Sequence, residues 1–176
     1  SQESRQAAAW LIFDVGQKMS GFSLPLTRLV HENLSVIMTF AYSQRPLADM
    51  LERKFRGHHK YVEKALFELS AARAEKACLE LALFLRMVDD DEGITQYYEA
   101  TKSAPNCGIL LMKSGVAKEL PFREVANKII HAVKIEWTFM RDPDPALICH
   151  SRDSEKWLRA EVDLVALSFV CGRLMS

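Results

Sequence analysis

The stretch Arg123-Glu124-Val125-Ala126-Asn127-Lys128-Ile129-Ile130-His131-Ala132, with the Val133-Lys134-Ile135-Glu136-Trp137-Thr138-Phe139-Met140 that follows it, decides the reading of the fold. In the first part, Val125, Ile129 and Ala132 recur at helical spacing, and Pro121 suits the first turn of such a helix. In the second, Val133, Ile135, Trp137 and Phe139 alternate with Lys134, Glu136, Thr138 and Met140. That period of two predicts a strand. Arg141-Asp142-Pro143-Asp144-Pro145 is turn chemistry, and 146–150 then returns as the partner strand of a hairpin.

Outward from this switch of period, the chain reads mostly as helix. Residues 60–88 are rich in Ala, Leu, Glu and Arg, contain no Gly or Pro, and are apolar nearly all round near 77–84. A helix of that kind belongs in the middle of a bundle. Asp89-Asp90-Asp91-Glu92-Gly93 end it. Upstream, 7–19 predicts a first helix closed by Ser20-Gly21. Pro25 opens a second, with Leu26, Leu29, Val30 and Leu34 at helical spacing, running to about Tyr42. Pro46 interrupts it, and 47–54 supplies a further turn or two. Downstream, 95–102 is a short helix and 108–112 a brief strand. Ser151 or Asp153 caps a final helix over 155–174 that carries Leu158, Val162, Val165 and Phe169 on one face. The expected fold is mainly α. It is a single compact helical bundle over 1–176, with one small β-hairpin (133–150) between the last two helices and with Trp137 and Trp157 anchoring that hairpin to the final helix.

Composition sets broad limits. A chain of 176 residues falls within one ordinary domain and is long enough to build its own core. Lys plus Arg equals Asp plus Glu, so no global field favours a nucleic acid, a membrane or an acidic partner. Cys78, Cys107, Cys149 and Cys171 are scattered and form no C-x-x-C pair, which reads as a reducing, cytoplasmic compartment. The apolar run 7–15 is too short to span a bilayer and contains Asp14. No membrane association is expected.

Within the helix ahead of the hairpin, Asn127 and His131 lie about 40° apart and one turn along, with Arg123 a turn earlier. The ridge offers a cation, an amide and an imidazole beside an apolar stripe. Arg123 could hold a phosphate, Asn127 orient it and His131 move protons. The alternative is structural: an Asn and a His near a helix end hydrogen-bond the following hairpin or the last carbonyls, and a His there complements the helix dipole.

This segment resembles the HEPN superfamily, small helical-bundle domains of which some dimerise and cleave RNA. Those members use an Arg and a His four to six residues apart, often with a polar residue directly after the Arg. Asn127 matches the polar position and His131 the histidine, while Ala126 stands where the Arg would be. Arg123 lies farther upstream, seven residues separating it from His131. The chain also resembles a group of bacterial helical proteins with an Asn-Lys-Ile-Ile-His-Ala helix end, a short hairpin and a Trp-led final helix, here Trp157-Leu158-Arg159-Ala160-Glu161-Val162-Asp163-Leu164. The resemblance implies a binding or interaction module without catalysis, acting on RNA or on a cognate protein. The alternative is a metal-independent ribonuclease with His131 as general acid or base and Arg123 and Asn127 in support.

Arg53, Lys54, Arg56 and Lys60, with His58 and His59, make the densest basic cluster, a nucleic-acid patch or a solvated helix junction. Asp89-Asp90-Asp91-Glu92 lack the ligand spacing of a calcium loop and sit at a helix C-terminus, where the dipole disfavours them. No zinc-like spacing, Gly-rich phosphate loop or H-E-x-x-H is present, so no metal or cofactor is expected. The apolar final helix is where a homodimer would form.

Overall fold

The computed structural model describes residues 25–55, 57, 59–139, 143–152 and 156–174. The helix expected over 7–19, the cap expected at Asp153, and Arg56, His58 and Met140 lie outside the described residues.

Helix α1 (Leu26–Lys54) buries Val30, Asn33, Ile37, Phe40, Ala41, Gln44 and Leu51, one stripe at three- and four-residue spacing. It does not stop at Pro46, which lies inside it. Pro46, Tyr42, Arg45 and Asp49 are exposed, so the carbonyl that loses its donor faces water. Helix α2 (Lys60–Glu63) passes through a π-helical turn (Lys64–Glu68) into α3 (Leu69–Glu92). Ala74, Ala77, Cys78 and Ala82 give α3 a small-residue face that lets α1 approach closely. Its other flank is open: Leu79, Leu83 and Met87 form an exposed ridge, so α3 is not wrapped on all sides by described residues. Helix α4 (Ile94–Thr101) follows, then β1 (Asn106–Met112), β2 (Ala117–Pro121), α5 (Phe122–Ile130), β3 (Ala132–Thr138), β4 (Ala146–Ser151), β5 (Trp157–Asp163) and α6 (Leu164–Arg173).

The mainly α expectation is overturned here. The five strands form one sheet in the order β2-β1-β5-β4-β3 with every pair antiparallel, and the expected hairpin β3-β4 is only one side of it. Helices grouped on one face of an antiparallel sheet define an α+β architecture. The decisive departure is β5. Its sequence is helix-tolerant, yet it slots between β1 and β4, where both backbone edges are satisfied and Trp157, Ala160 and Val162 enter the core. Leu158, Val165 and Phe169, which a longer final helix would have buried, are exposed. Helix α6 therefore begins only at Leu164, where the Asp163 carboxylate accepts from the Ala166 amide at 2.9 Å. Nor do the tryptophans anchor the hairpin to this helix. Trp137 packs edge-on against Phe40 of α1, and Trp157 is itself a strand residue.

The hairpin β1-β2 also escapes sequence reading, because β2 is Ala-Lys-Glu-Leu-Pro with a single buried side chain. At Gly108, with φ of +147°, an added Cβ would lie 2.0 Å from the Glu161 carbonyl oxygen, so only glycine lets β1 approach β5 there. Asn106 Oδ1 holds the irregular register by accepting from the Gly108 and Leu120 amides at 3.0 and 3.1 Å.

One buried cluster draws on α1, α3, α5, α6 and the inner sheet face. The outer face is different. Glu119, Ile109, Glu161, Ile148 and Glu136 form one row across the five strands, and Ala117, Leu111, Arg159, His150 and Lys134 form the next. None of these residues is buried. Among the described residues, no helix is long and apolar enough to cross a membrane.

Candidate functional site

Helix α5 bridges the two edges of the sheet, running from β2 to β3, and it packs against α3. Phe122, Val125, Ala126 and Ile129 form its buried stripe. Ala126, the position that the ribonuclease pattern gives to Arg, is 1% exposed and faces the core. A guanidinium could not point from there toward a substrate.

Arg123 is not free to hold a phosphate. Its Nη1 donates to Asp89 Oδ2 at 2.6 Å and to Asp90 Oδ1 at 2.7 Å. Asp89 is 5% exposed, and it also accepts from the Thr95 amide at 2.6 Å and the Thr95 hydroxyl at 2.8 Å. One buried carboxylate thus satisfies the start of α4 and ties α3 to α5. The hydrogen bond to Asp90 pushes the Arg123 pKa further up against the opposing effect of burial, with Asp89 adding to the rise. This group stays charged and occupied.

Asn127 Nδ2 donates to Glu124 Oε1 at 3.2 Å, and Lys128 Nζ meets Glu124 Oε2 at 2.7 Å. Burial works to raise the Glu124 carboxyl, but the hydrogen bonds from Lys128 and Asn127 outweigh it and hold its pKa below the usual value. Lys128 also lies over the Trp157 ring, 5.0 Å from its centroid, fastening α5 to β5. Asn127 belongs to this bracing cluster.

His131 is the exception. The helix ends at Ile130, and His131 is its C-cap, with its amide donating to the Asn127 carbonyl at 3.0 Å. The residue is exposed, and Ala132 already belongs to β3. No hydrogen bond joins the side chains of Arg123, Asn127 and His131: the first two turn inward to carboxylates, the third outward to water.

The basic cluster straddles the end of α1 and the start of α2, where Arg53, Lys54 and Lys60 are exposed. His59 is spent on Glu63 at 2.9 Å, and the aromatic neighbours Phe55 and Tyr61 are exposed. The four cysteines are buried free thiols, and burial pushes Cys107 up to about 11 and Cys149 and Cys171 up to about 12. They are inert as nucleophiles. Among the described residues, no group of three or more His, Cys, Asp or Glu side chains could hold a metal ion.

Sequence reasoning did not find the roles of Asp89, Thr95 and Glu124. A signal was present for Asp89, because a carboxylate run at a helix C-terminus is disfavoured by the dipole unless a cation compensates it. The geometry adds one apolar groove of about 280 Å³ between α1, the π-helical turn and β3, lined by Phe40, Ala48, Phe67, Ala71, Trp137 and Phe139. Trp137 and Phe139 stack there at 6° between planes. No protein-family model, curated protein or solved structure matches the chain.

Proposed function

We propose that this chain is a non-catalytic binding or interaction module of the cytoplasm, and that its open sheet face and the strand leading from His131 form the working surface. The observation that carries this reading is the double ion pair of Arg123 with Asp89 and Asp90. A phosphoryl or ribosyl reaction needs a cation at the developing charge, and withdrawing Arg123 would leave the nearly buried Asp89 short of a partner. A sheet face with no buried residues, mixing Ile109, Leu111 and Ile148 with acidic and basic side chains, suits protein contact better than chemistry. The four free thiols fit a reducing compartment.

One observation favours the alternative of a metal-independent ribonuclease. His131 is exposed, as a general acid or base must be. For Asn127 to act as orienter and Arg123 as stabiliser of the transition state, they would have to exchange Glu124 and the Asp89–Asp90 pair for substrate. In that case Arg53, Lys54, Arg56 and Lys60 would be the RNA-binding patch. The test is RNA cleavage in EDTA by the full chain beside a His131→Ala variant. The module reading expects neither protein to cleave any of a varied panel of RNAs. Cleavage by the parent that vanishes in the variant would overturn it.

A further inference from the structure

The sheet ends in two edge strands of unlike construction. β2 has five residues, meets β1 through a register shift between Asn106 and Ile109, and ends on Pro121, which has no amide hydrogen. Shortness and proline are devices that keep an edge from pairing with another chain, and β3 has neither, although both edge pairs contain a register shift. β3 has seven residues and no Gly or Pro; its register with β4 shifts once, between Ala132 and Lys134, and is unbroken from Lys134 to Thr138. Val133, Ile135, Trp137 and Thr138 are all strand-forming types, and Val133 is 54% exposed. The side of β3 away from β4 presents alternate N–H and C=O groups with no strand beside them among the described residues.

The charges on β3 are Lys134 and Glu136, on the same sheet face, opposite in sign and symmetric about Ile135. Within one chain they pair with each other, and Glu136 also meets His150 Nε2 at 2.7 Å, so a partner's pair would extend this network. Consider two copies of the strand meeting antiparallel on a two-fold axis at Ile135. Lys134 of each then faces Glu136 of the other, and Ile135 faces its own copy, all within the regular part of the strand. An axis at Lys134 or at Glu136 would instead set like charges directly opposite, which is destabilising. The strand is therefore self-complementary in one register, as an isologous interface requires.

We infer that this chain self-associates through β3, two copies joining their five-stranded sheets into one antiparallel sheet across a two-fold axis at Ile135. The inference rests on the interaction-module reading, since it names a second copy as the occupant of the strand that leads from His131.

Sedimentation velocity over a range of concentrations tests this, using the full chain, Lys134→Glu, Glu136→Lys and an equimolar mixture of the two variants, with circular dichroism to confirm that each is folded. The parent is expected to be a dimer. Each single variant places like charges across the axis and weakens the dimer by at least about tenfold in Kd. The mixture restores it, because each chain then meets its opposite charge in the other. A parent that stays monomeric overturns the inference. So does a dimer that ignores both variants, which would move the contact to another face such as Val165 and Phe169 of α6, or a mixture that fails to reassociate. These outcomes are separable from the RNA assay: cleavage lost in His131→Ala defeats the module reading whatever the chain's oligomeric state.

Discussion

The two ends of α5 lie within one short helix and are in opposite states. At the N-terminal end, Arg123 is locked between Asp89 and Asp90 beneath α4. At the C-terminal end, His131 caps the helix and points to solvent. Residues that share one ridge on a helical wheel therefore serve unrelated purposes. A wheel describes angle about an axis, whereas the partners of a side chain depend on what other elements bring near it. Here α3 delivers two carboxylates to the first turn, and the start of β3 leaves the last turn uncovered.

The sharpest way to probe this contrast is Ala126→Arg, which would write the missing arginine of the ribonuclease pattern into the sequence. Ala126 sits on the buried stripe of α5, so the substitution forces a long cation into a filled core. A loss of more than about 4 kcal/mol is expected, read as a collapse of the urea midpoint. A stable, soluble variant would mean that α5 can roll and expose that face. Next in size is Arg123→Ala, which leaves the Asp89 carboxylate with Thr95 alone. About 2–3 kcal/mol should be lost, somewhat under the value for a fully buried pair because the Arg123 side chain is 27% exposed.

An acid titration probes the middle of the helix. The Glu124 pKa is lowered in the folded state, so its contribution is complete above the ordinary glutamate pKa of about 4.3 and is lost as pH falls through the folded value. Glu124→Gln should therefore flatten the decline of the urea midpoint between about pH 5 and about pH 3. Equal slopes in parent and variant would count against a Glu124 brace. The smallest effect belongs to His131→Ala, within about 0.5 kcal/mol of the parent in the same denaturation experiment. A loss of 2 kcal/mol or so there would erase the distinction between the two ends.

Parts of this were legible beforehand and parts were not. The change of period at 132–133 marks the passage from α5 to β3, because helical and strand periodicities differ whatever surrounds them. A helical stretch from residue 60 onward and the return strand β4 also follow from local pattern, although a π-helical turn at Lys64–Glu68 divides that stretch and α3 runs on to Glu92 rather than stopping at residue 88. β2 and β5 do not. β2 buries a single side chain, and Trp157–Asp163 contains residues that suit a helix as well as a strand. The site divides in the same way. The sequence identifies Arg123, Asn127 and His131 as unusual neighbours, but not that two of them face carboxylates contributed by α3 and by α5 itself.

What the sequence by itself determined is local: where the long helices run, where the period turns to two, that Gly93 ends a helix, and that the thiols are unpaired. The tertiary structure decided the rest. It converted a hairpin on a bundle into one side of a five-stranded sheet, turned the start of the final helix into a central strand, and drew Arg123 away from His131. The physical reason is that backbone pairing between distant strands and the neutralisation of a buried carboxylate depend on groups far apart in the chain, and no window along the sequence contains both partners.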